Sequence, residues 1–388
     1  MPDKAKAVVL EIGYHFSGST LDFNSCNLPV QVAPGRSNNC VRVMFDGVAK
    51  AFSDDIAIDL GTANTLVHVM GRGIIIDEPS TVAVRTRNAA REILAVGRKA
   101  KALMAEPSKG VELVHPLREG VIADFVAAEE MLRQLIRRAK TMLGFRRPRI
   151  LICVPAQATP VERRAVYETA KSLGARKVYL IAEPVAASLG AGLPVGEPGG
   201  AMVLDIGGGS SDIAVLSAGE IISARTLRIA GNAMDAAIVR YVRRQHQLHI
   251  SDANAERMKV QLGTAIAKSS GRVAEAHIRG RDLQQGTAKT VVLGARDTAD
   301  ALAEPIEALA DFVQRALEDL MPETLRDIRQ RGIHLTGGGA MLDKLDVALT
   351  RQVGVPFHLQ PNPMHCVVKG SAAVLAGLDS YKHLLMKN

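Results

Sequence analysis

Two short runs in this chain end an apolar stretch on a carboxylate and follow it at once with glycine. The first is Ile56-Ala57-Ile58-Asp59-Leu60-Gly61-Thr62-Ala63-Asn64, and the second is Met202-Val203-Leu204-Asp205-Ile206-Gly207-Gly208-Gly209-Ser210-Ser211-Asp212. Glycine carries no Cβ, so its backbone N–H can approach a ligand closely, and successive N–H groups in such turns form a concavity for anions. A third turn, Gly337-Gly338-Gly339, follows Ile333-His334-Leu335-Thr336. One glycine turn says little; three read as the cradle of a phosphate chain. Asp59 and Asp205 would repel phosphates unless a cation stood between them, so Mg²⁺ held largely through water is expected there. The blander reading has both aspartates satisfying N–H groups of their own turns. Hydrolysis also needs a group that orients and polarises water. Glu183, ending an apolar run and followed by Pro184, is the candidate; standing alone it would be an ordinary turn carboxylate.

Other chemistries fare worse. His246 and His249 have no acidic or cysteine partner at ligand spacing, and no Walker-type glycine-lysine motif is present. The four cysteines show neither paired metal spacing nor a dense disulfide framework, which fits a reducing cytosol.

The turns must be positioned by strands. Glycine-bearing meanders are expected at 56–59, 65–70, 74–76 and 81–84, and again at 202–205, 213–217 and 221–225. Asp205 lies 146 positions after Asp59, and the repetition of one plan at that interval indicates an internal duplication. Two sheet-bearing domains hinged around a cleft follow. The expected organisation is a poorly ordered extension over 1–43 and a first domain over 44–192 with an inserted subdomain near 85–118. A second domain covers 193–368 with an insertion near 231–290, and a C-terminal helix over 369–388 returns to the first domain. Met44 is either the true start or an internal residue after a real tail. Helices are expected from Asp124, with Phe125, Ala128, Leu132, Leu135 and Ile136 on one face, and after the capping box Thr159-Pro160-Val161-Glu162. Further helices are expected near 186–192, 233–245, 254–268, 341–350 and 369–378.

At 388 residues, with 47% hydrophobic and 23% charged, the chain has an ordinary globular composition and room for two or three domains. Aromatics are 3% and Trp is absent, which disfavours base-stacking modules, so no nucleic-acid partner is expected. The net charge of +8 permits attraction to nucleotides or acidic lipid. The loop Met142-Leu143-Gly144-Phe145-Arg146-Arg147 has two readings. Its apolar residues fold back into the core, or Met142, Leu143 and Phe145 enter the acyl boundary while the arginines meet head groups. No run approaches the ~18 consecutive apolar residues of a spanning helix, so a cytoplasmic protein with peripheral contact at the inner face of the membrane is expected.

Several motifs together resemble one family. Asp59-Leu60-Gly61-Thr62-Ala63-Asn64-Thr65-Leu66, Gly120-Val121-Ile122-Ala123-Asp124-Phe125, Ile152-Cys153-Val154-Pro155, Glu162-Arg163-Arg164-Ala165-Val166, Asp205-Ile206-Gly207-Gly208-Gly209 and Leu335-Thr336-Gly337-Gly338-Gly339-Ala340 are similar to MreB, the bacterial actin homologues that determine rod shape. The resemblance covers residue 44 onward. It implies an α/β actin-like fold, with duplicated ribonuclease-H-like domains and four subdomains around a nucleotide cleft. It also implies ATP and Mg²⁺ as cofactors, slow ATPase activity coupled to polymerisation into homopolymer filaments, and partners among the cell-wall elongation proteins and anionic inner-membrane lipid. By matching motifs, Thr62, Ala63 and Asn64 form one phosphate loop and Gly207, Gly208 and Gly209 the other. Glu256, Arg257, Met258 and Lys259 lie on the nucleotide-contacting helix, Gly337, Gly338, Gly339 and Ala340 lie against the adenosine, and Glu183 acts on water. The membrane loop matches Met142, Leu143 and Phe145. Ser210-Ser211-Asp212, Ala182, Arg257 and Gln261 depart from the common family pattern. A soluble small-molecule kinase of the same superfamily is the alternative reading, and a chaperone-type ATPase is a third.

Overall fold

The computed structural model describes residues 55–87, 90–103, 110–141, 147–267 and 275–386, all within one compact unit, Gly47–Asn388. The expectations for residues 1–43 and for Met142, Leu143 and Phe145 lie outside the described residues.

Ile56–Leu60 pairs antiparallel with Asn64–Val69, which pairs antiparallel with Gly73–Pro79. On its other side Ile56–Leu60 runs parallel to Arg149–Val154, and that strand runs parallel to Lys177–Ala182. A second sheet repeats this step for step. Ala201–Ile206, Ser211–Ser217 and Glu220–Leu227 form the antiparallel meander, and Ile333–Thr336 and Phe357–Leu359 add the parallel pair. Five strands in the same order and sense, twice, are the structural form of the duplication read from the two aspartates. Ile56–Leu60 and Ala201–Ile206 are buried along their whole length, as strands covered on both faces must be.

Between the sheets lies a shared apolar layer. Ala57, Leu151 and Ile181 enter it from the first sheet, and Val203, Ala214 and Leu216 from the second. Two small-residue helices, Glu183–Gly190 and Cys366–Ala376, fill the space. They cross so closely that a Cβ at Gly370 would overlap the Ala186 carbonyl oxygen and one at Gly190 the Cys366 carbonyl oxygen. The C-terminal segment also meets the first sheet, through a Cys153 Sγ to Ser371 Oγ contact of 2.7 Å and a Met386 N–H to Leu180 C=O bond of 2.9 Å.

Each half carries additional elements. In the first, Val82–Arg87 is flanked by Ala90–Val96 and Val111–Val114, next to the helix Arg98–Leu103. In the second, helices Gly231–His246 and Asp252–Leu262 accompany the small sheet of Leu248–His249, Glu275–Asp282 and Ala288–Gly294. The helix expected over 254–268 stops at Leu262, because Gly263 turns out of it with its N–H on the Lys259 carbonyl at 2.9 Å. The helix expected over 341–350 begins only at Leu345, after a 3-10 turn at Gly339–Met341. No helix is expected from sequence between 290 and 331, whereas Ala295–Glu318 and Pro322–Arg331 are both helical. Pro305 sits inside the longer one, yet Ala301, Leu302, Ile306, Leu309, Val313 and Leu317 bury one face at helical spacing and hold it together. Among the described residues, no helix is long and apolar enough to cross a membrane.

Candidate functional site

Both aspartate-ended strands sit at the centre of their sheets, so the two glycine turns leave the same layer of the molecule. They meet at a cleft of about 920 Å³. Its walls include Asp59, Thr62, Ala63, Asn64, Glu183, Asp205, Gly207, Gly208, Gly209, Glu256, Lys259, Gly337, Gly338 and Gly339. A Cβ at Gly208 would stand 2.6 Å from the Ala63 Cβ, and one at Gly209 would stand 2.7 Å from the Thr62 Cγ2. The loops therefore face each other in contact, and glycine is what permits it.

Neighbouring elements fix each loop. Ser80 donates its hydroxyl to the Gly61 carbonyl at 2.6 Å and its N–H to the Ala63 carbonyl at 2.9 Å. In the second loop the N–H of Gly207 bonds the Ser210 carbonyl at 2.9 Å. The first N–H groups of the helix Gly231–His246 complete the arrangement: Gly231 donates to the Gly207 carbonyl at 3.1 Å and Asn232 to the Gly208 carbonyl at 2.7 Å. Orphan donors of a helix start thus anchor the loop. The third turn begins at Gly337, whose φ of +82° and proximity to Asp205 leave no room for a side chain. Thr336 donates its hydroxyl to Asp205 Oδ1 at 3.1 Å.

The cleft floor concentrates carboxylates. Burial, then the nearby Asp205, raise Asp59 to about 8; burial, then Asp212, raise Asp205 to about 7. Glu183 is pushed well above the usual carboxylate range by burial and by Asp212, Asp59 and Asp205. Asp212 is raised by burial, although Thr226 donates to it at 2.6 Å. Among the described residues, no cationic side chain offsets these four shifts. That donor set suits a hard divalent cation, which carboxylates and water would hold. Among the described residues there is no group of three or more His, Cys, Asp or Glu side chains placed to ligate an ion directly, so the fit is to an ion coordinated chiefly by water and phosphate. Lys259 is already engaged, donating to Asp235 Oδ2 at 2.9 Å and the Gly231 carbonyl at 3.0 Å. Asp235 nevertheless sits at about 6, because burial outweighs its lysine partner.

The structure separates the other sequence-derived candidates. Along the helix Asp252–Leu262, Glu256 and, one turn on, Lys259, Val260, Gln261 and Leu262 line the cavity. Arg257 is exposed and is absent from the cavity wall, and Met258 is buried in the core behind it. Ala340 is likewise buried, behind Gly339. The wall also holds Asp212, Asn232, Asp235, Thr264, Arg296, Asp343 and Lys344, none of them a candidate from sequence. Of these, Asp212 lay within the quoted second turn, and Gly231-Asn232 was legible as a helix start close behind the meander. Arg296 and Lys344 reach the site through helix starts that no local motif marks.

A duplicated five-stranded sheet whose strand-end turns oppose one another over buried carboxylates defines the actin-like class. The chain belongs to the MreB/Mbl family, whose profile, described as MreB/Mbl protein, matches residues 53–383. The cell shape-determining protein MreB of Pasteurella multocida is 42% identical over 342 residues, covering 87% of this chain and 97% of that protein. The crystal structure of MreB5 of Spiroplasma citri bound to ADP superposes with a TM-score of 0.79 at 30% identity, covering 86% of this chain and 99% of that one. At 19% identity, the MamK double helical filament has a TM-score of 0.67 over 83% of this chain and 98% of that one, a likeness of fold.

Proposed function

We propose that this protein is a nucleotide-dependent cytoskeletal filament protein that determines rod cell shape, with ATP and Mg²⁺ in the cleft. The observation that carries the nucleotide reading is the direct opposition of Gly208 to Ala63 and Gly209 to Thr62 above four carboxylates, of which Asp59, Asp205 and Asp212 are buried. A phosphate chain gripped from both halves couples the nucleotide to the relative position of the two sheets. MreB5, similar over most of its length, was solved with ADP. Family membership also favours the cytoskeletal role over the soluble-kinase alternative.

In this reading the loop N–H groups bind and orient the phosphates. Glu183, at the start of a helix packed between the two sheets, holds the attacking water. A divalent cation would be held near Asp59 and Asp205 through water and would neutralise charge on the phosphates. Filaments of the protein lie against the inner face of the membrane through Met142, Leu143 and Phe145, and position cell-wall elongation proteins. Calorimetric titration with ATP and Mg²⁺ should show one site per chain, lost when Gly208 becomes Val; equal binding by that variant contradicts the cleft assignment. Liposome binding that survives replacement of Met142, Leu143 and Phe145 by Ser removes the membrane role.

A further inference from the structure

On the second sheet, away from the cleft, His334 and His358 stand opposite each other in register on the parallel strands Ile333–Thr336 and Phe357–Leu359. Their ring centroids are 5.5 Å apart and the rings are tilted by 50°. We propose that this pair is a binding site for a late first-row divalent ion of the Zn²⁺, Cu²⁺ or Ni²⁺ class, completed by water.

The spacing suits such an ion. Zn–N bonds of about 2.0–2.1 Å in a near-tetrahedral arrangement place two imidazole centres roughly 5 to 5.5 Å apart. Nitrogen donors without a carboxylate select these ions over Mg²⁺ or Ca²⁺. A third element orients one ligand: the Gln360 side-chain amide contacts His334 Nδ1 at 2.7 Å. Turning that amide over puts its carbonyl oxygen on a protonated Nδ1, which frees Nε2 for the metal, the usual arrangement around a ligating histidine. His358 is exposed, so the ion enters from solvent. Gly332 provides space, since a Cβ there would overlap the His358 ring. The strand of His334 delivers Gly337 to the cleft three residues later, so an ion here ties an edge strand to the strand that carries the third glycine turn.

Untagged full-length protein titrated with Zn²⁺ by calorimetry in excess Mg²⁺, which occupies the cleft carboxylates, tests the site. The expected result is one equivalent bound, with a raised melting temperature. His358→Gln and His334→Gln should each weaken binding by roughly tenfold or more, and Gln360→Leu by about tenfold. His358→Cys, which keeps a zinc-competent donor, should bind Zn²⁺ again. If His334→Gln does not fold, the exposed His358→Gln decides. Absence of Zn²⁺ binding, or binding unchanged in His358→Gln, overturns the proposal.

Discussion

Asp59 and Asp205 sit in the folded protein at about 8 and about 7, far above the ordinary aspartate value. The folded chain therefore retains protons that the unfolded chain has released. Stability falls as pH rises from about 4, where unfolded aspartate titrates, and the loss is complete once both folded values are passed near pH 8. Thermal melts of nucleotide-free, metal-free protein should show a falling melting temperature from pH 5 to 8, flatter in Asp59→Asn; a flat wild-type profile contradicts the burial argument. Glu183→Gln should keep ATP affinity while slowing phosphate release by roughly a hundredfold or more, the scale of general-base catalysis. An unchanged single-turnover rate removes Glu183 from catalysis. Asp59 and Asp205 are legible because a strand-end carboxylate just before glycine is a local pattern, and Glu183 because it ends an apolar run before Pro184. Arg257 and Met258 lie off the cavity wall, and a motif match supplies the helix but not the face it presents.

Strand order carries the duplication, while glycine spacing determines how closely its parts approach. A methyl at Gly208 collides with the Ala63 Cβ, so Gly208→Ala should weaken nucleotide binding by roughly tenfold, and Ala63→Gly in the same chain should restore it. Failure of that rescue would mean the loops do not oppose each other. Between the helices Glu183–Gly190 and Cys366–Ala376 no space exists beside Gly370, and Gly370→Ala should cost about 1–3 kcal/mol in chemical denaturation. At this scale the meanders and the Thr159 capping box could be read directly, the latter present with both of its hydrogen bonds. The helix Ala295–Glu318 also had a legible apolar stripe, but Pro305 argues locally against it and only packing against the second half overrides that. Pairing between strands far apart in sequence, such as Ala201–Ile206 with Ile333–Thr336, has no local signal at all.

Across the whole molecule, two sheets share one apolar layer and one cleft, so a ligand bridging the loops acts on both halves together. Membership of the MreB/Mbl family joins that geometry to assembly. Sedimentation of the full chain across a range of concentrations, with ATP and Mg²⁺ against a nucleotide-free control, tests this coupling most directly. Such coupling predicts filaments that pellet above a threshold concentration with ATP and are lost in Gly208→Val. A wild-type protein that stays in the supernatant at every concentration, or that pellets equally without nucleotide, would contradict it.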